Sequence, residues 1–222
     1  MFLLALSFAP GLMLLLYIYL QDKYEREPLK VVLQAFVWGA ASALILIIIY
    51  LVFKINILDK PDKISLFKAF ILALKHAAIP EELVKFLPFL FFIYKNKEFN
   101  EWFDGIVYAS AISLGFATVE NIIYVLSGGS YVGILRAFTA VPGHFVMGIT
   151  QGFFFSLAKF RKYKILYISL ALICAILVHA LYDAFLFSGK KWLLSLFIIY
   201  LISIIYLGKK MIKSHLEKSQ FK

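Results

Sequence analysis

The sequence predicts an all-α membrane protein, a polytopic bundle of about seven transmembrane helices with a broken third segment. Apolar residues make up 63% of the 222 residues and charged residues only 16%, whereas a soluble domain has roughly half apolar and a quarter charged residues. One core in a chain of this length cannot bury so much apolar surface. A disordered chain, a fibre and an ordinary soluble domain are therefore excluded, and we expect one integral-membrane domain over residues 1–222.

The first two apolar runs, 1–20 and 31–53, are each long enough to cross the membrane. A span needs about 20 apolar residues. The first run has no basic segment at its start and no small-residue cleavage site at its end, so we expect an uncleaved span rather than a signal peptide.

The third apolar run, 64–94, is too long for one span and too short for two spans and a turn. The residue before a proline avoids helical backbone, so Pro80 is expected to end a helix after Ile79. We therefore predict a span over 74–94 with an interfacial lead-in over 64–73. A re-entrant hairpin is the alternative.

Four further apolar runs complete the predicted seven: 105–126, 138–158, 165–187 and 192–207. In this arrangement 14 of the Lys and Arg residues in the connections and tail lie on the side of the C-terminus and 6 on the other side. The positive-inside rule then places the N-terminus outside and the C-terminus in the cytoplasm. A hairpin at Pro80 would invert the orientation of every segment before it but leave the 14-to-6 split unchanged, so the rule does not distinguish the two arrangements. The net charge of +10 is expected to meet anionic membrane lipid and not nucleic acid.

Ionisable residues within the predicted spans are the candidates for function, because charges inside a membrane are costly and usually functional. Six of them are singled out: Glu81, Glu82, Glu120, His144, His179 and Asp183. His215 lies in the basic tail and is expected to be solvated. The single cysteine, Cys174, excludes an intramolecular disulfide and a cysteine metal cluster.

Spacing along the helices predicts how these residues pair. Glu81 and Lys85 are four residues apart, so they share a face and are expected to form an ion pair, which leaves Glu82 free. His179 and Asp183 share a face in the same way. Glu120 has no basic residue within helical reach, so its partner must come from another span. Each motif also has a purely structural explanation: a helix start with an ion pair, a buried hydrogen bond, or a histidine satisfied in the core.

Depth in the membrane favours a common site over these separate explanations. A rise of about 1.5 Å per residue places Glu81, Glu120, His144, His179 and Asp183 about 6 to 12 Å from the outer ends of their spans. Consecutive spans run in opposite directions, yet all five groups reach a similar level on the same side. One polar pocket in the outer half of the membrane accounts for this.

The motifs resemble those of the PrsW family of intramembrane proteases, and the resemblance covers nearly the whole chain. They are Glu81-Glu82-x-x-Lys85, Phe116-x-x-x-Glu120-Asn121, His144 and His179-x-x-x-Asp183, with flanking matches at 22–28, 103–108 and Arg136. PrsW proteins are related to the CAAX prenyl endoproteases and to the Aph subunit of gamma-secretase. The resemblance implies an enzyme that cuts a membrane-anchored protein, such as an anti-sigma factor, on the outer side of the cell membrane.

The resemblance also implies roles for the site residues in glutamate-dependent peptide hydrolysis. Glu81 or Glu82 activates a water as general base, and Glu120, His144 and His179 position that water or stabilise the oxyanion. Lys85, Phe116 and Asn121 support the site, Asp183 orients His179, and Lys85 keeps one glutamate ionised. We expect no cofactor, but a divalent metal is not excluded, because carboxylates and imidazoles are suitable ligands.

Two functions from other classes remain as alternatives. A non-catalytic membrane scaffold like the Aph subunit would use similar histidines for assembly, but it has little use for the two neighbouring carboxylates Glu81 and Glu82. A proton-coupled carrier would use Glu and His as a relay. The sequence has no inverted repeat, which argues against most carrier folds.

Overall fold

The computed structural model describes residues 2–54 and 63–221, and all regular structure within them is helical. Three positions used in the sequence predictions, Met1, Lys60 and Lys222, lie outside the described residues. The predicted all-α class is confirmed. Eight α-helices occur in the described part: α1 Phe2–Gln21, α2 Leu29–Val52, α3 Leu66–Ala73, α4 Ile79–Pro88, α5 Asp104–Phe138, α6 Ala140–Phe160, α7 Lys164–Phe187 and α8 Leu193–Leu216.

Five helical stretches of the described chain are long and apolar enough to cross a membrane, which supports an integral membrane protein. They are Phe2–Gln21, Leu29–Val52, Asp104–Phe160, Lys164–Phe187 and Leu193–Leu216. The 57-residue stretch contains both α5 and α6. The third predicted span is absent from this set, because π-helical turns divide it into pieces that are individually too short. These helices alone do not establish the predicted number of seven.

The predicted break at Pro80 is wrong, because the third segment stays helical throughout. A π-helical turn over Leu74–Ala78 joins α3 to α4, and a second over Phe89–Ile93 follows α4. Ile79, the residue before the proline, has right-handed helical backbone, and its N–H donates to the carbonyl of Leu74. Pro80 lies in the first turn of α4, where a missing N–H costs no helical hydrogen bond. The helical backbone at each junction also rules out the hairpin alternative.

Helix α5 forms the centre of the bundle and packs against α1, α2 and α6. Glycines permit close approaches between these helices, as two examples show. A Cβ on Gly115 would lie 1.9 Å from the carbonyl oxygen of Phe36 on α2, and a Cβ on Gly152 of α6 would lie 2.2 Å from that of Gly105. Small residues at helix contacts let backbones approach this closely in a membrane bundle. Glu120 and His144 are thus carried on two tightly packed neighbours.

Helix α5 extends beyond the predicted end at 126 and changes direction at Gly129. Gly129 has φ 74° and ψ −167°, a conformation that favours glycine, and it separates the helical segment 130–138 from the body of α5. The apolar side chains of this segment are exposed at helical spacing: Tyr131, Ile134, Leu135 and Phe138. Its other face carries Arg136 towards the site.

The expectation that His215 is solvated is wrong. Helix α8 continues to Leu216, nine residues past the predicted end at 207, and buries His215 completely. The imidazole stacks on Phe153 with ring centroids 4.3 Å apart and meets Trp102 edge-on at 5.6 Å. His215 therefore packs the far end of the bundle and takes no part in the polar site.

Candidate active site

Four helical elements bring the six sequence-predicted site residues into one polar cluster. Glu81 and Glu82 come from α4, Glu120 from α5, His144 from α6, and His179 and Asp183 from α7. The rings of His144 and His179 lie edge to face with centroids 5.4 Å apart. The expected convergence of these groups is thus present in the structure.

Glu82, rather than Glu81, forms the ion pair with Lys85. The Nζ atom of Lys85 donates to Oε1 of Glu82, and only 1% of each side chain is exposed. The same oxygen lies 2.7 Å from Nδ1 of His179, and Oε2 accepts from Nε2 of Gln151 at 3.0 Å. The predicted Glu81–Lys85 pair is therefore wrong, and both oxygens of Glu82 are occupied.

Glu81 is the carboxylate with a free oxygen. Its Oε2 atom is buried, and no hydrogen-bond partner for it is found among the described residues. Nε2 of His179 lies 3.8 Å from this oxygen, beyond hydrogen-bond distance. That nitrogen also lies 3.4 Å from Oδ2 of Asp183, so the predicted His179–Asp183 contact is confirmed. Buried polar atoms without partners are rare in proteins, and each of them calls for an explanation.

Glu120 lies between a guanidinium group and an imidazole. Its Oε2 atom accepts from Nη2 of Arg136 at 2.8 Å and lies 2.9 Å from Nε2 of His144. The Nε atom of Arg136 donates to Oδ1 of Asn121 at 2.9 Å, so the guanidinium holds two consecutive residues of α5. The expected partner from another span is His144, and Arg136 is a second partner from beyond Gly129.

The remaining supporting residues surround His144. Its Nδ1 atom lies 3.2 Å from Nζ of Lys85, whose ammonium group also lies 4.7 Å from the ring centroid of Phe116. The carbonyl oxygen of His144 accepts from the hydroxyl of Ser113. The imidazole is therefore held at both nitrogens and at its backbone. Lys85, Phe116 and Asn121 all contact the cluster, as expected.

The sequence reasoning gave no role to two residues that contact the cluster, Arg136 and Gln151. Arg136 was noted only as flanking sequence, although it follows the helix-breaking pair Gly128-Gly129. Gln151 lies seven residues after His144, which places both side chains on the same face of α6. A polar residue at that spacing within an apolar run is the pattern from which the position of Gln151 near the cluster could have been predicted.

Three of these groups are placed to hold a metal ion. One ligand atom from each of Glu81, Glu120 and His144 lies within 4.8 Å of the other two. Carboxylate and imidazole ligands suit divalent metals such as zinc, and the unpaired Oε2 of Glu81 is an available ligand. The donor set therefore fits a divalent cation.

Comparisons with known proteins identify the family of this chain. The model of the PrsW family intramembrane metalloproteases matches residues 27–208. A Protease PrsW of Geobacillus kaustophilus is 38% identical over 192 residues, which cover 86% of this chain and 82% of the relative. The Oceanobacillus iheyensis protein of the same name is 38% identical over 89% of this chain and 90% of its own length, and that of Bacillus subtilis is 32% identical over 83% of each.

No solved structure shows a significant match to this chain. The family model nevertheless covers well over half of it, and the relatives align over most of their own length. The matched region, 27–208, includes all six polar groups of the cluster. The chain therefore belongs to the PrsW family of intramembrane metalloproteases and is a peptidase.

Proposed function

We propose that this protein is an endopeptidase that hydrolyses a membrane-anchored protein substrate, such as an anti-sigma factor, with a glutamate-activated water at the outer side of the membrane. The observation that carries the proposal is the free, buried oxygen of Glu81 beside Glu120, His144 and His179. A general base needs a free acceptor atom within hydrogen-bond reach of the water that it deprotonates.

Glu81 suits the role of base better than Glu82. Both oxygens of Glu82 already accept from Lys85, His179 or Gln151, so this carboxylate has a positioning role. His179 is held between Glu82 and Asp183 and presents its ring to the free oxygen of Glu81. His179 then positions the water or donates to the developing oxyanion, and His144, held by Lys85 and Glu120, orients Glu120 beside it.

A divalent metal fits the same place, and with it bound the oxygen of Glu81 would be a ligand and not the base. Glu81, Glu120 and His144 would hold it, and the family description as metalloproteases supports this assignment. When bound, such an ion polarises a substrate carbonyl and lowers the pKa of a coordinated water. Metal analysis of the purified protein and of Glu120→Gln tests this assignment: a bound divalent ion in the parent only is expected.

We further propose one protease domain that crosses the membrane seven times. In this arrangement α5 and α6 each cross once and the helical segment from α3 through the second π-turn crosses once. The predicted charge asymmetry then supports an outer N-terminus and a cytoplasmic C-terminus. Single cysteines introduced at Phe2 and Lys218 of a Cys174→Ser protein should react with an impermeant maleimide from opposite sides. Labelling of both from one side would contradict the arrangement.

Cleavage by purified protein tests the proposed reaction. In proteoliposomes with a single-span anti-sigma factor, the parent should release fragments cut near the span, and Glu81→Gln should release none. Glu98→Gln is the matched control, because Glu98 is an acid in the connection before α5, with 31% of its side chain exposed. Full activity of a folded Glu81→Gln protein would overturn the assignment of the base.

A further inference from the structure

A groove runs between α1 and α8 on the surface of the bundle, outside the polar cluster. It consists of two adjoining cavities, of about 450 Å³ and about 290 Å³, which share the side chains of Tyr17, Lys209 and Ile212. Helices α1 and α8 make little contact with each other, so residues of α6 are accessible between them and form the floor of the smaller cavity. The groove therefore lies open at the surface of the bundle.

The smaller cavity is lined mainly by apolar side chains. Leu14 of α1, Phe145 and Ile149 of α6, and Ile205 of α8 surround it. An apolar lining of this kind suits a hydrocarbon chain, because burying apolar groups against apolar side chains is favourable.

The larger cavity adds polar and charged groups at one end only. Gln21, Tyr24, Lys213 and Glu217 line it together with Lys209. Glu217 offsets one of the two lysines, and its contact with Lys213 is a weak one at 3.8 Å with both side chains exposed. The end of the groove thus carries a net positive charge next to tyrosines, which are typical of the membrane interface.

We propose that this groove binds a phospholipid with an anionic headgroup. One acyl chain lies in the apolar cavity against α6, and the phosphate lies between Lys209 and Lys213. Basic pockets between transmembrane helices at the cytoplasmic surface bind anionic headgroups, and the proposed orientation places this end of the groove there. The occupant packs on Phe145 and Val146, which follow His144 on α6. The inference stands independently of the catalytic assignment.

Lipid binding to delipidated protein in detergent tests the proposal. The probes are phosphatidylglycerol and phosphatidylcholine with identical acyl chains, and adducts are counted by native mass spectrometry. The parent should prefer phosphatidylglycerol. Lys209→Gln/Lys213→Gln should weaken that adduct roughly 25-fold, since each lysine near an anionic lipid contributes roughly fivefold. Lys190→Gln/Lys191→Gln, at the opposite end of α8, is the matched control and should bind like the parent.

A second variant tests the acyl-chain cavity separately. Ile205→Trp fills the apolar part and should weaken both lipids, with circular dichroism showing that the helices are retained. Equal phosphatidylglycerol binding by the double glutamine variant and its control would overturn the proposal, as would unchanged binding by Ile205→Trp. Full displacement of the lipid by millimolar inorganic phosphate would also overturn it, because the groove would then bind a free anion.

Discussion

Lys85 is the residue whose removal most directly tests how the site is held together. It is 1% exposed, and its ammonium group contacts the Glu82 carboxylate, Nδ1 of His144 and the face of Phe116. Lys85→Met keeps the length and apolar stem of the side chain but removes the charge. The Glu82 carboxylate then stays buried without its cation.

Removing one partner of a buried ion pair costs about 3–5 kcal/mol, because the remaining charge is uncompensated. Glu82 keeps His179 at 2.7 Å and Gln151 at 3.0 Å, so we expect a loss near the lower limit, about 3 kcal/mol. Adding Glu82→Gln to Lys85→Met removes the uncompensated charge and should recover most of that loss. Neither variant should cleave substrate, because Lys85→Met leaves Nδ1 of His144 without the Lys85 ammonium group and the double variant also removes the carboxylate that holds His179.

Unfolding in mixed micelles measures the coupling free energy between Lys85 and Glu82 directly. The four proteins compared are the parent, Lys85→Met, Glu82→Gln and the double variant. Lys190→Met, in the exposed connection before α8, is the control for loss of a lysine and should leave stability unchanged. The reasoning is refuted if the double variant is no more stable than Lys85→Met alone. Parent-like cleavage by Lys85→Met would equally contradict it.

Three further changes have defined outcomes. Arg136→Gln should lower kcat about 100-fold, because Glu120 loses the group that positions it. Arg136→Lys should recover only part of that activity, because lysine cannot bond to Glu120 and Asn121 at once as the guanidinium does. Gly115→Ala should destabilise the folded protein by about 1–3 kcal/mol, because the new Cβ would lie 1.9 Å from a backbone oxygen. Gly208→Ala is the control in the same unfolding assay and should be neutral, because the nearest atom to its Cβ would lie at 3.5 Å. Burial raises the pKa of Asp22 in the first connection from 3.8 to about 7. The folded state therefore loses stability as pH rises through that range, and Asp22→Asn should stabilise more at pH 8 than at pH 4 in urea titrations; an equal effect at both pH values would contradict this.

The convergence of the polar groups was predictable from the sequence, whereas the identity of their contacts was not. A fixed rise per residue relates position in a span to height, so the common level of Glu120, His144 and His179 follows from spacing alone. The contact of Arg136 with Glu120 depends on the positive φ of Gly129, which redirects the chain. A sequence shows that a glycine permits such a turn, but packing determines the direction that the chain then takes.

The π-turn before Pro80 explains why Glu82 rather than Glu81 occupies the most buried position, with 1% of its side chain exposed against 12%. Upstream of it the buried positions repeat every four residues: Ala69, Ala73 and Ala77. A regular helix would continue this face through Glu81 and Lys85, as the pairing prediction assumed. A π-turn instead adds one residue to the turn and rotates the downstream part of the helix by about 100°. The buried face resumes one residue later: Ala78, Glu82, Lys85, Phe86, Phe89 and Ile93.

The same rotation directs Lys85 to Glu82 and leaves an oxygen of Glu81 without a partner among the described residues. The insertion of one residue thus separates two neighbouring carboxylates into one that is fully bonded and one that is available for chemistry.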